Sequence, residues 1–250
     1  MRHLSSPRYL MGTLLMMLFS AAAVMVWATN QHNSPDRLSI ENKTRSLTVE
    51  SVTHLGEVHG RSRFEVTVRN GYDKHIVAYS IRVEDSSTDK ETISATERGG
   101  LVDGWSLPPN ATDVARVHAS SEGEIVLTIY AVLFEDGAGD GDTNDLTRLR
   151  EVRAGVKMAY QRIAQILRRA ASENGAVGSD EVIQSLEDEV ASISDRDVPM
   201  NLRRGFDQAK DYVDSGLKDL RDKLRSESSL KYGEEINKKA KEIETALAKL

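Results

Sequence analysis

The sequence predicts an α+β protein in which a β-sandwich precedes a helical region. Up to about residue 142, apolar and polar side chains alternate with a period of two, as in half-buried strands. From Thr143 onward, apolar residues recur every three or four positions, as in helices. Between the two regions, the run Ile125–Phe134 is apolar at both odd and even positions. A strand without a polar face is covered on both sides. We therefore expect this strand at the centre of the sandwich, with the following helix over part of its outer face.

The N-terminus indicates export and predicts an export or anchor helix. Arg2 and Arg8 precede an uncharged run, Tyr9–Thr29, so a positively charged region is followed by an apolar one, as in signal peptides. Val26–Ala28 offers a cleavage site, while the run is also long enough to cross a bilayer as one helix. Residues 1–29 are therefore predicted to be a signal peptide or a single transmembrane anchor. Either alternative places the rest of the chain outside the cytoplasm: periplasmic, secreted, or anchored in the inner membrane.

Composition restricts the class of protein further. The net charge of −6 over 250 residues provides no basic field for nucleic acid. The chain has no cysteine, which excludes a disulfide framework, a thiolate metal site and a cysteine nucleophile. An exported chain without disulfides must hold its fold by core packing alone, which favours a bacterial envelope protein over a small secreted eukaryotic module.

The segment before the helical region divides into a linker and a sandwich. Residues 30–37 contain Pro35 and have no period, which predicts a linker. Residues 38–142 contain short alternating segments separated by turn signals; Phe64–Arg69 is one, and an Asn-Gly pair at 70–71 marks a tight turn after it. Six or seven such strands over about 100 residues fit an immunoglobulin-like sandwich, and without cysteine a fibronectin-type relative fits better.

Part of this region resembles a known pattern. The segments FEVTVRNGYDKHIVAYSIRV and IYAVLFEDGAGDGD are similar to segments of uncharacterised exported bacterial proteins, over roughly Phe64 to Arg153. There, a strand ending in a turn asparagine leads to a K-x-I-x-A-Y strand, and a later strand ends in F-x-D-G before a long helix. The resemblance implies an immunoglobulin-like or fibronectin-like sandwich followed by a long helix, and export. It implies no known activity and no catalytic residues.

The loop from Asp136 to Asp145 is the candidate metal site. Its glycines are spaced G-x-G-x-G, which does not match a dinucleotide-binding turn, and its aspartates would repel phosphate. Oxygen-bearing side chains do fall at positions 1, 3, 5 and 12 of an EF-hand register, although position 6 lacks the usual glycine. We therefore consider two alternatives: a calcium site, or a turn whose glycines take positive φ and whose Asp or Thr caps the next helix. The calcium ligands would be Asp140, Asp142, Asn144 and Glu151.

Residues 143–250 are predicted to form a helical region, either a bundle or coiled-coil-like. Thr143 is the predicted N-cap of the first helix. Apolar seams run through this region at 3–4 spacing, and Gly205, Gly216 and Gly233 are expected to weaken the later helices. Such seams are buried either inside an intramolecular bundle, or by self-association or a partner helix.

No hydrolase, zincin, P-loop or kinase motif is present. We therefore predict a non-enzymatic interaction or structural protein of the bacterial envelope, with no cofactor. It would bind protein partners or itself through the sandwich and the helical seams, and the membrane through its N-terminal segment if that is uncleaved. No nucleic-acid partner and no small-molecule substrate is indicated. The alternative is a calcium-dependent envelope sensor or enzyme that uses the acidic loop Asp136–Asp145.

Overall fold

The computed structural model describes residues 38–85, 94–98, 105–120, 124–173, 180–226 and 232–250. The predicted N-terminal segment 1–29 and the linker 30–37 lie outside these residues. Within the described part, none of the helices is both long enough and apolar enough to cross a membrane.

The described chain forms strands first and helices afterwards. The eight strands are β1 Leu38–Asn42, β2 Leu47–Val58, β3 Arg61–Asn70, β4 Ile76–Asp85, β5 Ser94–Arg98, β6 Thr112–Ser120, β7 Ile125–Phe134 and β8 Gly139–Gly141. The four helices are α1 Thr143–Glu173, α2 Asp180–Ser192, α3 Met200–Ser226 and α4 Tyr232–Leu247. The change from strands to helices therefore occurs at Thr143, as the switch in period predicts.

The strands form two sheets that share one apolar core. Sheet A has the order β1-β7-β4-β5, with the short β8 also paired to β7; sheet B has the order β2-β3-β6. The strand β1 pairs with β7 in parallel, whereas the other pairs are antiparallel. Side chains from both sheets, such as Phe64 and Val66 of sheet B and Tyr79 and Ile129 of sheet A, belong to the same buried cluster.

The predicted fold class requires correction. The described residues form mixed sheets with four helices, a mixed α+β fold in which an immunoglobulin-like sandwich is not confirmed. Alternation in a sequence reports which face of a strand is buried, but not which strand lies beside it or in which direction. Alternation therefore cannot predict the parallel pairing of β1 with β7. The predicted membrane-capable helix is not found in the described part. The one long helix that the resemblance implies is not shown either, because the region after Thr143 is divided among several helices.

The central strand agrees with the sequence-based prediction. The strand β7 spans Ile125–Phe134, lies between β1 and β4, and has mostly buried side chains. Its inner face joins the shared core of the two sheets. On its outer face, Ala131 and Leu133 pack with Leu146 and Leu149 of α1. The following helix thus covers part of the outer face, as expected for a strand with no polar side.

Helix α1 crosses sheet A and continues beyond it. Along α1, Asp145 pairs with Arg82, and the Arg153 guanidinium donates to the Val77 carbonyl oxygen at 3.1 Å. The helix therefore runs antiparallel to β4, away from the end of the sheet where β4 finishes. After Arg153 it continues for about 30 Å to Glu173, at 1.5 Å per residue.

The far part of α1 forms a bundle with the other helices. The apolar seams predicted from the sequence meet inside this bundle, so their burial is intramolecular. The buried residues include Val156, Ile163 and Leu167 of α1, Ile183 and Leu186 of α2, Phe206, Val213 and Leu217 of α3, and Ile236 and Ile243 of α4.

Two glycines set the distance between α1 and α3. A Cβ atom on Gly155 would collide with the Leu202 carbonyl oxygen, and one on Gly205 would collide with the Val152 carbonyl oxygen. The two backbones therefore touch at a point where only glycine fits. The expectation that Gly205 weakens its own helix stays a prediction, and the structure adds that its missing side chain permits the contact between α1 and α3.

We expect Gly155→Ala and Gly205→Ala each to lower the free energy of unfolding by about 1–3 kcal/mol, because each added methyl overpacks a backbone contact. Urea denaturation followed by circular dichroism measures this change. Gly216→Ala is the matched control: its Cβ would meet only the flexible end of Lys239, with Nζ at 3.1 Å, so stability stays the same or rises. Wild-type stability of both the Gly155 and Gly205 variants would contradict the close-contact explanation.

Candidate functional site

Asp140, the first predicted calcium ligand, ties two loops together. Its Oδ2 accepts hydrogen bonds from the Arg45 backbone N–H at 2.6 Å, the Ser46 backbone N–H at 2.9 Å and the Ser46 hydroxyl at 2.8 Å. These donors come from the connection between β1 and β2, which lies far from Asp140 in sequence. The carboxylate therefore satisfies two backbone N–H donors of this connection with charge-assisted hydrogen bonds.

Asp142, the second predicted ligand, caps α1. Its Oδ1 accepts from the backbone N–H groups of Asn144 at 2.9 Å and Asp145 at 3.2 Å. These are orphan donors of the first helical turn, and a carboxylate there also favours the positive end of the helix dipole. The N-cap is therefore Asp142, one residue before the predicted Thr143. Gly141, the residue before Asp142, has φ of 111°, and a Cβ atom on it would collide with the Tyr130 carbonyl oxygen.

The remaining predicted ligands do not join these aspartates. The Asn144 side chain is exposed, and Glu151 Oε1 accepts a hydrogen bond from Asn201 of α3 at 2.9 Å. Across the part of the chain that the structure describes, no three His, Cys, Asp or Glu residues are grouped so as to hold a metal ion. The calcium site stays a prediction, and the second alternative, a capped glycine turn, accounts for the contacts of Asp140 and Asp142.

A polar cluster lies between sheet A and α1, and the sequence reasoning did not identify it. We call it the α1 cluster: Ser80, Arg82 and Glu84 of β4, Tyr130 of β7, and Asp145 and Arg148 of α1. Its only sequence signal was the polar residues at 80, 82 and 84, which alternate with buried apolar residues on β4. That alternation usually marks a solvent face. Here the same face is half covered, because α1 lies on it.

Asp145 is the buried anion of the α1 cluster. It is 3% exposed, and its Oδ1 accepts from the guanidinium groups of both Arg82 and Arg148, the latter at 2.8 Å. Arg148 also donates to the Ser80 hydroxyl at 3.2 Å. A carboxylate at this depth is stable only when it is paired, so the two arginines and Asp145 depend on one another. The cluster therefore fastens α1 to β4.

Tyr130 fills the outer side of the same cluster. Its ring lies between the Lys43 ammonium, 4.0 Å from the ring centroid, and the Arg82 guanidinium at 4.3 Å. Its hydroxyl donates to Glu84 Oε1 at 2.5 Å. Burial, followed by the hydrogen bond to Glu84, raises the pKa of Tyr130 to about 12. The ring of this neutral phenol is the platform for the two cation–π contacts.

The chemistry of the α1 cluster is structural. Its carboxylate is shared between two guanidinium groups, and its tyrosine has a pKa far above neutrality. A general acid or base functions best with a pKa near the working pH, and Tyr130 lies well outside that range. The arrangement supports a fixed joint between the sheets and the bundle.

A second feature lies at the end of the β2–β3 hairpin. We call it the tip surface, formed by Leu55 and Val58 of β2 and Arg61 and Arg63 of β3. Leu55 and Val58 are each 40% exposed, which makes them two of the few large apolar side chains that reach solvent. Val58 is the cross-strand partner of Arg61, so apolar and cationic groups are neighbours there. Exposed apolar side chains next to charge are typical of contact surfaces.

We expect Asp145→Asn to lower the free energy of unfolding by about 2–4 kcal/mol, because it leaves two partly buried arginines without their anion. Asp222→Asn is the matched control, since the Asp222 side chain is 73% exposed and lies 3.8 Å from Arg225; its effect should stay within about 0.5 kcal/mol. Chemical denaturation of both variants measures the difference. Equal stability of the two would show that the α1 cluster does not fasten the helix.

We expect excess Ca²⁺ to leave the melting temperature unchanged, because Asp140 and Asp142 already accept hydrogen bonds from backbone donors. Calorimetry with Ca²⁺, and with Mg²⁺ as the control cation, measures this. A rise in melting temperature with Ca²⁺ alone, abolished by Asp140→Asn, would establish the calcium site instead.

Comparisons with known proteins assign no family. No protein-family model matches the chain, and no curated protein matches it. Among solved structures, the chain matches the crystal structure of Campylobacter jejuni cj0090 with 14% sequence identity and a TM-score of 0.23. The match covers 38% of this chain and 99% of the other chain. Superposition at that level carries no argument about fold or function.

Proposed function

We propose that the protein is a non-enzymatic interaction protein of the bacterial envelope, outside the cytoplasm, in which the two sheets hold a helical bundle away from the membrane for a protein partner. The observation that carries this proposal is the path of α1. The helix is fixed to sheet A near its start, and it then continues into the bundle without interruption.

The direction of α1 supports the placement of the bundle. The chain enters the sheets at Leu38, which pairs with Ile125 at the beginning of β7. Asp85, the last residue of β4, also pairs with Ile125. The helix runs from Arg82 towards Val77, which is away from that end. A membrane segment preceding Leu38 would therefore lie at one end of the molecule, and the bundle at the other.

The joint between the two parts supports a rigid arm. Asp145 fastens α1 to β4, and Gly155 and Gly205 bring the backbones of α1 and α3 into contact at the start of the bundle. Near the same place, the Arg153 guanidinium donates to the Lys249 carbonyl oxygen at 3.0 Å, linking α1 to the chain after α4. Contacts on several sides of one helix oppose bending at the joint.

The proposed contact surface differs from the apolar seams considered in the sequence analysis. Those seams pack against one another inside the bundle, so they are not accessible to a partner helix. We propose instead two exposed positions on α3, Met200 at its start and Tyr212 near its middle, where the ring also lies 5.4 Å from the Lys239 ammonium of α4. Met200 there is 80% exposed and Tyr212 is 38% exposed, and methionine and tyrosine are both frequent at protein interfaces. The alternative function, a calcium-dependent sensor or enzyme, has no comparable observation in its favour.

Photo-crosslinking in intact cells tests the proposal. A photoreactive amino acid replaces Met200 or Tyr212, and Thr53, exposed on sheet B, is the matched control position. We expect both α3 positions to yield an adduct with the same protein, identified by mass spectrometry, and Thr53 to yield none with it. An absence of protein adducts at both α3 positions, with folding retained by circular dichroism, would overturn the proposed function.

A further inference from the structure

The end at which the chain enters the sheets is also the end that carries the tip surface. Leu38 pairs with Ile125 in β1–β7, and Ser120 pairs with Arg61 in β6–β3. Five residue steps separate Ser120 from Ile125, which limits the distance between their Cα atoms to about 18 Å. The entry point of the chain and the tip of the β2–β3 hairpin therefore lie at the same end of the two sheets.

The chain before Leu38 restricts what this end can face. Residues 1–29 are predicted to be an export signal or an anchor, and only residues 30–37 separate them from Leu38. Eight residues reach at most about 28 Å, even when fully extended. An uncleaved anchor therefore keeps the entry end of the sheets within about 28 Å of the hydrocarbon core, and the headgroup layer takes up roughly 5–8 Å of that distance. The remaining space of about 20 Å is smaller than a small folded domain, which is about 30 Å across.

The tip surface has the composition that suits a lipid interface. Leu55 and Val58 are exposed aliphatic side chains, and Arg61 and Arg63 stand beside them on β3. The Arg61 side chain is exposed, and Arg63 is half-buried, with its Nε lacking a hydrogen-bond partner within the part of the chain described here. Arginine next to aliphatic groups binds the boundary between headgroups and acyl chains, because the guanidinium pairs with phosphate while the apolar groups leave water.

Charge around the tip surface acts locally and not through a net field. Residues 38–142 hold eighteen Asp or Glu and only ten Lys or Arg, so the sheets as a whole are acidic. At the tip, Arg61 and Arg63 are neighbours on one face of β3, while Glu57, Asp85 and Glu124 at the same end give that end no net positive charge. One orientation is therefore favoured by local pairing of guanidinium groups with phosphate and by burial of the two aliphatic side chains, and not by the net charge of this end.

We propose that the tip surface, Leu55, Val58, Arg61 and Arg63, docks on the phospholipid headgroups of the membrane in which the N-terminal segment is anchored. The proposal rests on the proposed envelope location, and it adds the membrane as a second binding partner. Docking fixes the tilt of the sheets, so that the bundle projects from the bilayer in one direction.

The absence of cysteine from the chain permits a direct test with the full-length protein. His59→Cys, in the hairpin turn, carries an environment-sensitive fluorophore, and Met200→Cys on α3 carries the same label as the control. Both proteins are reconstituted into vesicles of phosphatidylethanolamine and phosphatidylglycerol, with or without brominated acyl chains. We expect the emission of the His59 label to shift to the blue and to be quenched by bromine, and that of the Met200 label to stay as in water.

Two further variants connect the signal to the named side chains. In the His59→Cys background, the double variant Arg61→Glu and Arg63→Glu should lower the ratio of docked to undocked protein at least about 25-fold. Each arginine near an anionic bilayer contributes a factor of about five to that ratio. Leu55→Ser with Val58→Ser should reduce quenching while leaving the circular dichroism spectrum unchanged. Thr48→Ser, on the same strand but away from the tip, is the matched control and should leave quenching unchanged.

A His59 label that is as exposed to water as the Met200 label would overturn the docking proposal. The protein recovered from cells can also be tested. If its chain starts at Thr29 and it does not bind the vesicles, the docking proposal is overturned as well. Capture of a protein instead of lipid at the tip would replace the membrane with a protein partner. None of these results depends on the α3 crosslinks, so docking and the proposed function can fail separately.

Discussion

The structure depends on one helix that belongs to two cores. The first turns of α1 pack Leu146 and Leu149 against sheet A, and its later turns supply a large part of the bundle interior. A helix in this position must be held at both sites at once. The ion pairs of Asp145 fix its start, and the contact of Gly155 with α3 fixes its entry into the bundle. Each of these contacts allows little alternative geometry, because one is a buried charge and the other is a backbone contact.

Buried charge contributes specificity here more than it contributes stability. Replacing a buried ion pair by apolar groups is often neutral, whereas breaking one is costly. Asp145 with its two arginines follows this rule at the joint, and Glu187, 4% exposed and 2.7 Å from Arg221, follows it between α2 and α3. A shifted register of α1 on sheet A would separate Asp145 from Arg82. Such a shift would leave buried charges unpaired, which is costly, so the two ion pairs favour the observed register.

The two proposals describe one arrangement of the molecule. The chain enters the sheets at Leu38, beside the β2–β3 hairpin, and α1 leaves sheet A in the opposite direction. The proposed membrane contact lies at the entry end of the sheets, and the proposed protein contact lies on the bundle side of the joint. The ionisable groups between the two ends act as fasteners. The Tyr130 ring is a platform for two cations and its hydroxyl donates to Glu84, while Asp142 caps the N-terminus of α1.

The sequence by itself determined the features that depend on local periodicity. It predicted the bounds of β7, the start of the helical region at Thr143, and the seam positions that fill the bundle. Each follows because burial imposes a period of 2 or 3.6 on neighbouring residues. Only the tertiary structure decided which segments meet. The parallel β1–β7 pair, the hydrogen bonds from Arg45 and Ser46 to Asp140, and the α1 cluster all join residues far apart in the chain. No local pattern encodes such partners, because the polar side chain of a solvent face and that of a covered ion pair look the same in sequence.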